Sequence, residues 1–371
     1  MASDSGRSAP KILEIGATPY MWHAFLDTTE FYSTWPDETF ADPGRGRHLV
    51  SLATLPGLAR RIADPAFDLV VAHAPASPPW SGRALGRALF RRSMLRGNPA
   101  VVRGLGIELL RRRAAAPLAL LDFEDSIGIE RSNLFLLDQA VAYFKRELPI
   151  DHWQVLARTA HRRVPTPRFR SIERNRARIA KLHPISLGLP LGAADGLIAL
   201  PPSEEKTIDV FFAGRIGDSS MVRQRGFDEL LTLRDEGYAI DVADTTLPFE
   251  EYLVRCARAY LVWSPEGFGW QTFRIYEAAM CGAAPLVSRP SIERYRPLFE
   301  GIHAVYYDVE PGELARTARA ALRDRERLRA IGRAARDHVK AFHTPAAIAR
   351  HVVETALSAA GRPAPKAEQA R

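Results

Sequence analysis

Ser264-Pro-Glu-Gly-Phe-Gly-Trp-Gln-Thr-Phe-Arg-Ile-Tyr-Glu-Ala-Ala279 is followed at once by Met280-Cys-Gly-Ala-Ala-Pro-Leu-Val287. Ala259 to Trp263 before it predicts a strand, Thr272 to Met280 a short helix, and the Ala-Pro-Leu-Val stretch a second strand. The pattern is a glycine turn at the carboxyl end of a parallel strand. There, bare backbone N–H groups and a helix N-terminus can accept a phosphate. Glu277, inside the helix, is placed to accept from the vicinal hydroxyls of a ribose.

Working outward, Gly214-Arg-Ile-Gly217 follows the predicted strand Ile208 to Ala213, and Arg223-Gln-Arg-Gly-Phe-Asp228 comes soon after. A glycine turn with arginines beside a helix start suits a diphosphate, which guanidinium grips bidentately. Arg215 and Arg225 are the first choices, Arg223 nearly as good, and Arg274 a third candidate. With Gly214, Glu266, Gly267, Gly269, Thr272 and Glu277 they make up the expected donor site.

These residues resemble the nucleotide-sugar signature of glycosyltransferases with the GT-B fold, in particular the CgeB-like and exostosin-like branches. There a Gly-rich turn, then Thr/Ser-Phe-Arg-x-Tyr-Glu-Ala, then a Cys-Gly-x-x-Pro stretch, lines the donor pocket. The better known retaining branch has Glu-Gly-Phe-Gly with a second glutamate eight positions on. Glu266 and Glu277 stand eleven apart, a departure that leaves inversion or retention open. The resemblance covers roughly residues 208–345, and the N-terminal half by layout. It implies an α/β chain of two Rossmann-like domains with parallel sheets facing across a cleft, and a hexosyltransferase-like enzyme using a nucleotide diphosphate sugar. It also implies a basic pair against the leaving diphosphate.

At 371 residues, two domains are expected, and 46% hydrophobic with 25% charged residues is ordinary for a globular chain. Cys256 and Cys281 have no metal-ligand spacing and fit buried thiols of a reducing compartment. No apolar run approaches the roughly 20 residues that span a bilayer. The polar start, Met1 to Pro10, does not read as a secretory signal. A cytoplasmic protein is expected.

The charge is unevenly placed. Residues 1–184 carry 27 Lys and Arg against 18 Asp and Glu, so the whole net charge of +8 lies in that half. Arg83, Arg87, Arg91, Arg92, Arg96, Arg103 and Arg111 to Arg113 face a single acid, Glu108. Arg158 to Lys181 form a second basic run around Glu173. Arg83, Arg87 and Arg91 recur every four residues among Leu85, Leu89, Phe90, Met94 and Leu95. That basic amphipathic pattern suits an anionic membrane surface or is an ordinary solvated face. Nucleic acid competes weakly, because no zinc spacing, RNP string or helix-turn-helix pattern accompanies the charge.

The alternation of elements predicts two parallel sheets. Strands are expected at Lys11 to Gly16, Phe67 to Ala72, Leu118 to Phe123, Ala140 to Phe144 and Ile185 to Leu187. The second series is Ile208 to Ala213, Ala239 to Ala243, Ala259 to Trp263, Pro285 to Ser288 and Ala304 to Tyr307. Helices are expected at Phe227 to Asp235, Pro248 to Ala257, one long amphipathic stretch from Gly312 to Phe342, and Pro345 to about Ala359. The domains read as 1–187 for the acceptor, 188–207 as linker and 208–344 for the donor. Residues 345–360 form a helix crossing back, as the resemblance implies, and 361–371 a disordered tail.

The general base is sought at strand ends of the first domain. Leu121-Asp-Phe-Glu-Asp-Ser126 offers Asp125 first and Glu124 second; His23 and His73 are alternatives. Tyr143 to Glu147 ends a strand with no assigned role. Asp241 and Asp244 are three apart, not an Asp-x-Asp pair, so no metal and no cofactor is expected. Arginines and helix N-termini then meet the phosphate charge. The reading is a metal-independent glycosyltransferase acting on an envelope glycan or lipid-linked acceptor, peripheral at the inner face of the membrane. A nucleotide-sugar epimerase of the same fold, a non-catalytic surface or spore-coat-like protein and a nucleic-acid-binding module are the rivals.

Overall fold

The computed structural model describes residues 9–34, 42–75, 105–157, 172–201, 205–217 and 220–363. Arg83, Arg87, Arg91, Arg92, Arg96, Arg103 and the basic run from Arg158 to Arg170 lie outside them.

Strands β1 (Ile12–Gly16), β2 (Thr29–Ser33), β3 (Arg47–Leu49), β4 (Leu69–His73), β5 (Leu118–Asp122), β6 (Ala142–Lys145) and β7 (Leu182–Pro184) form one parallel sheet in the order 3-2-1-4-5-6-7. A second parallel sheet holds β8 (Ile208–Ala213), β9 (Ile240–Ala243), β10 (Ala259–Trp263), β11 (Ala284–Ser288) and β12 (Val305–Tyr307), ordered 12-11-10-8-9. Two parallel-sheet α/β units are thus present, as the sequence pattern predicts. Their central strands are predominantly apolar because helices cover both faces, Glu14 in β1 and Asp209 in β8 being buried exceptions.

Helices α1 (Tyr20–Ala24), α2 (Leu55–Ile62), α3 (Leu134–Gln139), α4 (Glu173–Ile179) and α5 (Ala194–Ala199) belong to the first half and the connection. Then come α6 (Met221–Asp235), α7 (Phe249–Arg258), α8 (Phe273–Met280), α9 (Glu313–Ala321), α10 (Arg325–Phe342) and α11 (Pro345–Ala359). Successive residues of a strand point to opposite faces. Accordingly Leu13 and Ile15 pack with Leu58 and Ile62 of α2, while Ile12, Leu69, Val71, Ala119, Leu121 and Phe144 pack against α11. Helix α11 meets them with Ile348, Val352 and Ala356, each four residues apart, and the Thr344 hydroxyl caps it by accepting from Ala347 N–H at 3.2 Å. The last helix of the described residues is therefore a layer of the first sheet.

Four local readings are corrected by the structure. The single helix from Gly312 to Phe342 is two, because Asp324 accepts from Arg327 N–H at 2.9 Å and starts a new helix there. The expected linker is not plain over residues 188–201: α5 buries Ala194 and Leu197 against Tyr276 and Met280. The strand expected at Ile185 to Leu187 stands three residues earlier as β7: Ile185 N–H still reaches the Lys145 carbonyl at 3.2 Å, but Leu187 N–H is bonded to the Gln271 side chain at 2.9 Å. The helix expected from Phe227 begins at Met221, so Arg223 to Gly226 lie inside α6, which Ser220 caps through Val222 N–H at 3.1 Å. Gly226 is there for packing: a Cβ would sit 2.3 Å from the Trp263 ring. Strands β2 and β3 went unread; β3, Arg-His-Leu, is three half-buried residues with no apolar pattern.

No helix of the described residues is long and apolar enough to cross a membrane. Cys256 and Cys281 are both free and buried.

Candidate functional site

In each sheet the order reverses at one place, between β1 and β4 in the first and between β8 and β10 in the second. Ligands of open parallel sheets bind beyond the strand carboxyl ends at such a point. In the second sheet those ends run directly into the turn at Gly214 and the loop from Ser264 to Gln271. Asp244 pins the first turn by accepting from Ile216 N–H at 2.7 Å.

Two guanidinium groups converge between turn and loop. Arg274, in the first turn of α8, donates to the Ala213 carbonyl at 2.8 Å and lies over the Phe212 ring, 4.7 Å from its centroid. A side chain at Gly214 would meet its Nη2 at 2.7 Å, so glycine there leaves the arginine its place. Arg223 donates from Nε to the Glu266 carbonyl at 2.8 Å and from Nη1 to the Arg215 carbonyl at 3.1 Å, with its other nitrogen against Gly267. Burial first, and then the Arg274 charge, lowers the basicity of Arg223. Among the described residues neither arginine forms an ion pair with a carboxylate, and Arg274 Nε and Thr272 Oγ1 are buried without a hydrogen-bond partner. Two adjacent cations with orphaned donors form a place for an anion.

The candidate arginines differ in where their side chains lie. Residues two apart on a helix point to different sides, and Arg225 accordingly turns away, donating to the Val309 carbonyl at 3.2 Å. Arg215 is exposed and contributes its carbonyl. Arg223, the second choice on sequence, and Arg274 stand at the site.

The two glutamates differ. Glu277 is buried in the middle of α8, and burial raises its pKa although the Tyr252 hydroxyl and the Arg274 charge pull it down. Glu266 is half-buried at the loop, its pKa also raised chiefly by burial, with Ser288 Oγ 3.5 Å away. Both carboxyls can take hydroxyl donors from a ligand at the loop.

Across the cleft, Asp122 is a structural residue. It accepts from Tyr143 Oη at 2.7 Å and from the fully buried Lys145 Nζ at 3.1 Å. Asp125 is exposed and paired with Arg146. Glu124 is half-buried, and burial, then the Asp122 charge, raises its pKa. His23 is exposed in the last turn of α1 rather than in a loop. His73, at the end of β4, lies 3.4 Å from Glu14, which is fully buried and accepts from the Met21 and Trp22 N–H groups at 3.1 and 3.0 Å.

Glu147 is the residue sequence reasoning left without a role. Its carboxylate accepts from the backbone N–H of Trp270 at 2.9 Å and of Gln271 at 3.0 Å, and from Arg146 Nε at 3.1 Å. The N–H groups expected to be bare for phosphate just before α8 are thus occupied by a carboxylate of the other domain. No local pattern signals this, because the partners stand 123 and 124 positions apart.

A glycosyl transferase-like family model matches residues 251–354, which include the loop, α8 and most of the helices after it. None of the curated proteins matches the chain in sequence. Among solved structures, HepE of Anabaena, determined in complex with UDP, superposes with a TM-score of 0.53 at 14% identity over 94% of this chain and 100% of that one. A glycosyltransferase from Rickettsia africae gives 0.54 at 10% identity, covering 94% and 98%. The N-terminal domain of Candida albicans trehalose-6-phosphate phosphatase gives 0.51 at 12%, covering 96% and 98%. Residues 251–354 thus resemble a glycosyl transferase-like family in sequence, and the described chain shares the two-sheet GT-B fold of these solved structures.

Proposed function

We propose that this protein transfers a sugar from a nucleoside diphosphate donor to a hydroxyl acceptor held in the cleft. The observation that carries this is the Arg223–Arg274 pair between the Gly214 turn and the Gly267 loop. A diphosphate would give the two guanidinium groups the direct ion pair that no carboxylate of the described residues makes with them. Glu277 accepts from the ribose hydroxyls. As the sugar leaves, charge grows on the diphosphate, and the two arginines stabilise it more in the transition state than in the bound donor. Two guanidinium groups can carry that charge between them, and on this ground we propose metal-independent transfer, tested by equal rates with and without EDTA.

On the acceptor side, Glu124 takes the hydroxyl proton in a configuration-inverting transfer. Its raised pKa suits proton uptake, whereas the Asp125 charge is held by Arg146. Glu124→Gln should lower the transfer rate by about 10²- to 10⁴-fold and leave donor binding intact. Parental transfer by this variant removes Glu124 from the chemistry, and retention of configuration removes the need for any such base. The acceptor class is a cell-envelope glycan or lipid-linked sugar at the inner membrane surface, supported by the basic amphipathic run around Arg83, Arg87, Arg91 and Arg92. Vesicle sedimentation with anionic and neutral lipid tests that part, and no binding to either rejects it.

HepE was solved with UDP, so UDP and UDP-hexoses lead the donor screen. Isothermal calorimetry against UDP, GDP, ADP and their free nucleosides tests the reading. Saturable binding of one diphosphate, far tighter than its nucleoside, is expected. Absence of binding to every diphosphate would overturn it.

A further inference from the structure

We propose that Glu147 is a positioning residue for the donor loop, so that the acceptor-side domain sets where that loop stands. Both carboxylate oxygens are engaged on the loop's last two N–H groups, at Trp270 and Gln271, and the side chain is 2% exposed. Charge-assisted bonds of this kind are roughly twice as strong as neutral ones. The approach is close enough to demand glycine next door: a Cβ at Gly269 would lie 2.7 Å from Arg146 Nη2 and 2.8 Å from the Glu147 carboxyl. The Gln271 side chain closes the joint from the other direction. It donates to the Arg146 carbonyl at 2.7 Å and to that of Ile185 at 3.2 Å, and accepts from Leu187 N–H at 2.9 Å. Beside it, Glu293 N–H donates to the Leu148 carbonyl at 2.7 Å, and His152 meets the Glu293 carboxylate at 2.7 Å.

Loop and first domain are therefore one mechanical piece at this point. The loop also carries Glu266, whose carbonyl holds Arg223 in place. A shift at Trp270 and Gln271 reaches the anion-binding arginine within five residues of backbone. Only the consequence for ligand binding rests on the nucleoside diphosphate reading; the joint itself does not.

Hydrogen exchange of the full-length protein tests the proposal with two variants. Glu147→Gln keeps the size but exchanges one acceptor for a donor facing an N–H. Gly269→Ala leaves the carboxylate intact and pushes the loop off it. Each should speed exchange at Trp270 and Gln271 by roughly tenfold or more, with the acceleration confined to residues 264–271. Each should also weaken UDP binding by about tenfold. Parental protection at those two amides overturns the proposal. So does acceleration spread evenly through both domains, which marks a general stabilising role. A local loosening with parental UDP affinity overturns the positioning role as well. If the parent binds no nucleoside diphosphate, the donor reading fails alone, and the exchange result still decides the joint.

Discussion

Replacing Arg223 by alanine separates the anion site from everything around it. The side chain has two duties in the structure: it holds the Glu266 and Arg215 carbonyls, and it faces Arg274 without a carboxylate partner among the described residues. A hydrogen bond to a charged group contributes about 1.5–3 kcal/mol net, so losing one phosphate contact multiplies the dissociation constant of UDP by roughly 10 to 150. Uridine, lacking phosphate, should bind within about twofold of the parent on the same scale. Thermal stability should barely move, because the lost bonds to carbonyls are offset by relief of the repulsion with Arg274. Arg223→Lys keeps the charge and loses the fork, and should fall between parent and alanine variant. Arg225→Ala, on the other side of α6, is the control and should leave both ligands unaffected. Calorimetry with UDP and uridine on the four proteins gives the answer. Parental UDP affinity in Arg223→Ala, or an equal loss for UDP and uridine, refutes the assignment. A loss in Arg225→Ala as large as in Arg223→Ala refutes the helix-face argument behind it.

Glu277→Gln should bind nucleotide poorly yet melt higher than the parent at neutral pH. The folded-state pKa of Glu277 is raised by burial. Relative stability is therefore fully present below the ordinary carboxylate value and lost as pH rises through the raised one. The two proteins should melt alike at pH 4 and diverge above it, followed by calorimetric melting; identical curves across that range contradict the burial argument. Asp122→Ala leaves the Lys145 ammonium buried and unpaired and should cost about 3–5 kcal/mol in urea unfolding, whereas a loss below about 1 kcal/mol would show the site relaxes. Gly226→Ala drives a methyl into Trp263. It should cost about 1–3 kcal/mol, read as a fall of roughly 2–10 °C in Tm, and an unchanged Tm would mean the ring moves aside freely.

Where the chain obeys local rules, its sequence is sufficient. The runs at Ile208–Ala213 and Ala259–Trp263 have the ends predicted for them, because strands covered on both faces are mostly apolar, with Asp209 the one charged residue of the two. Misreadings came where one residue type serves two purposes. Gly226 reads as punctuation, but here it makes room for an indole inside a helix. Asp324 reads as one more charge on a long amphipathic face, but here it caps a second helix. Once α6 starts at Met221, Arg223 and Arg225 cannot share a target, and a choice between them becomes geometric. Glu147 and Asp122 were beyond reach for another reason. Their roles are fixed by partners brought from other strands and the other domain, and nothing local distinguishes them from surface carboxylates.

Helix α11 carries a consequence for how the protein is made. The face of the first sheet formed by Ile12, Leu69, Val71, Ala119, Leu121 and Phe144 is covered by residues 345–359. On a ribosome adding about 5–20 residues per second, that cover is synthesised roughly 10–30 s after β7 has emerged. The first domain must wait through the whole synthesis of the second with the part of that face not covered by Tyr20 and Met21 of α1 open to water. The second domain, its own helices already in hand, can close first. Order of synthesis and order of completion are therefore reversed, and the interval exposes the nascent chain to chaperones and to aggregation.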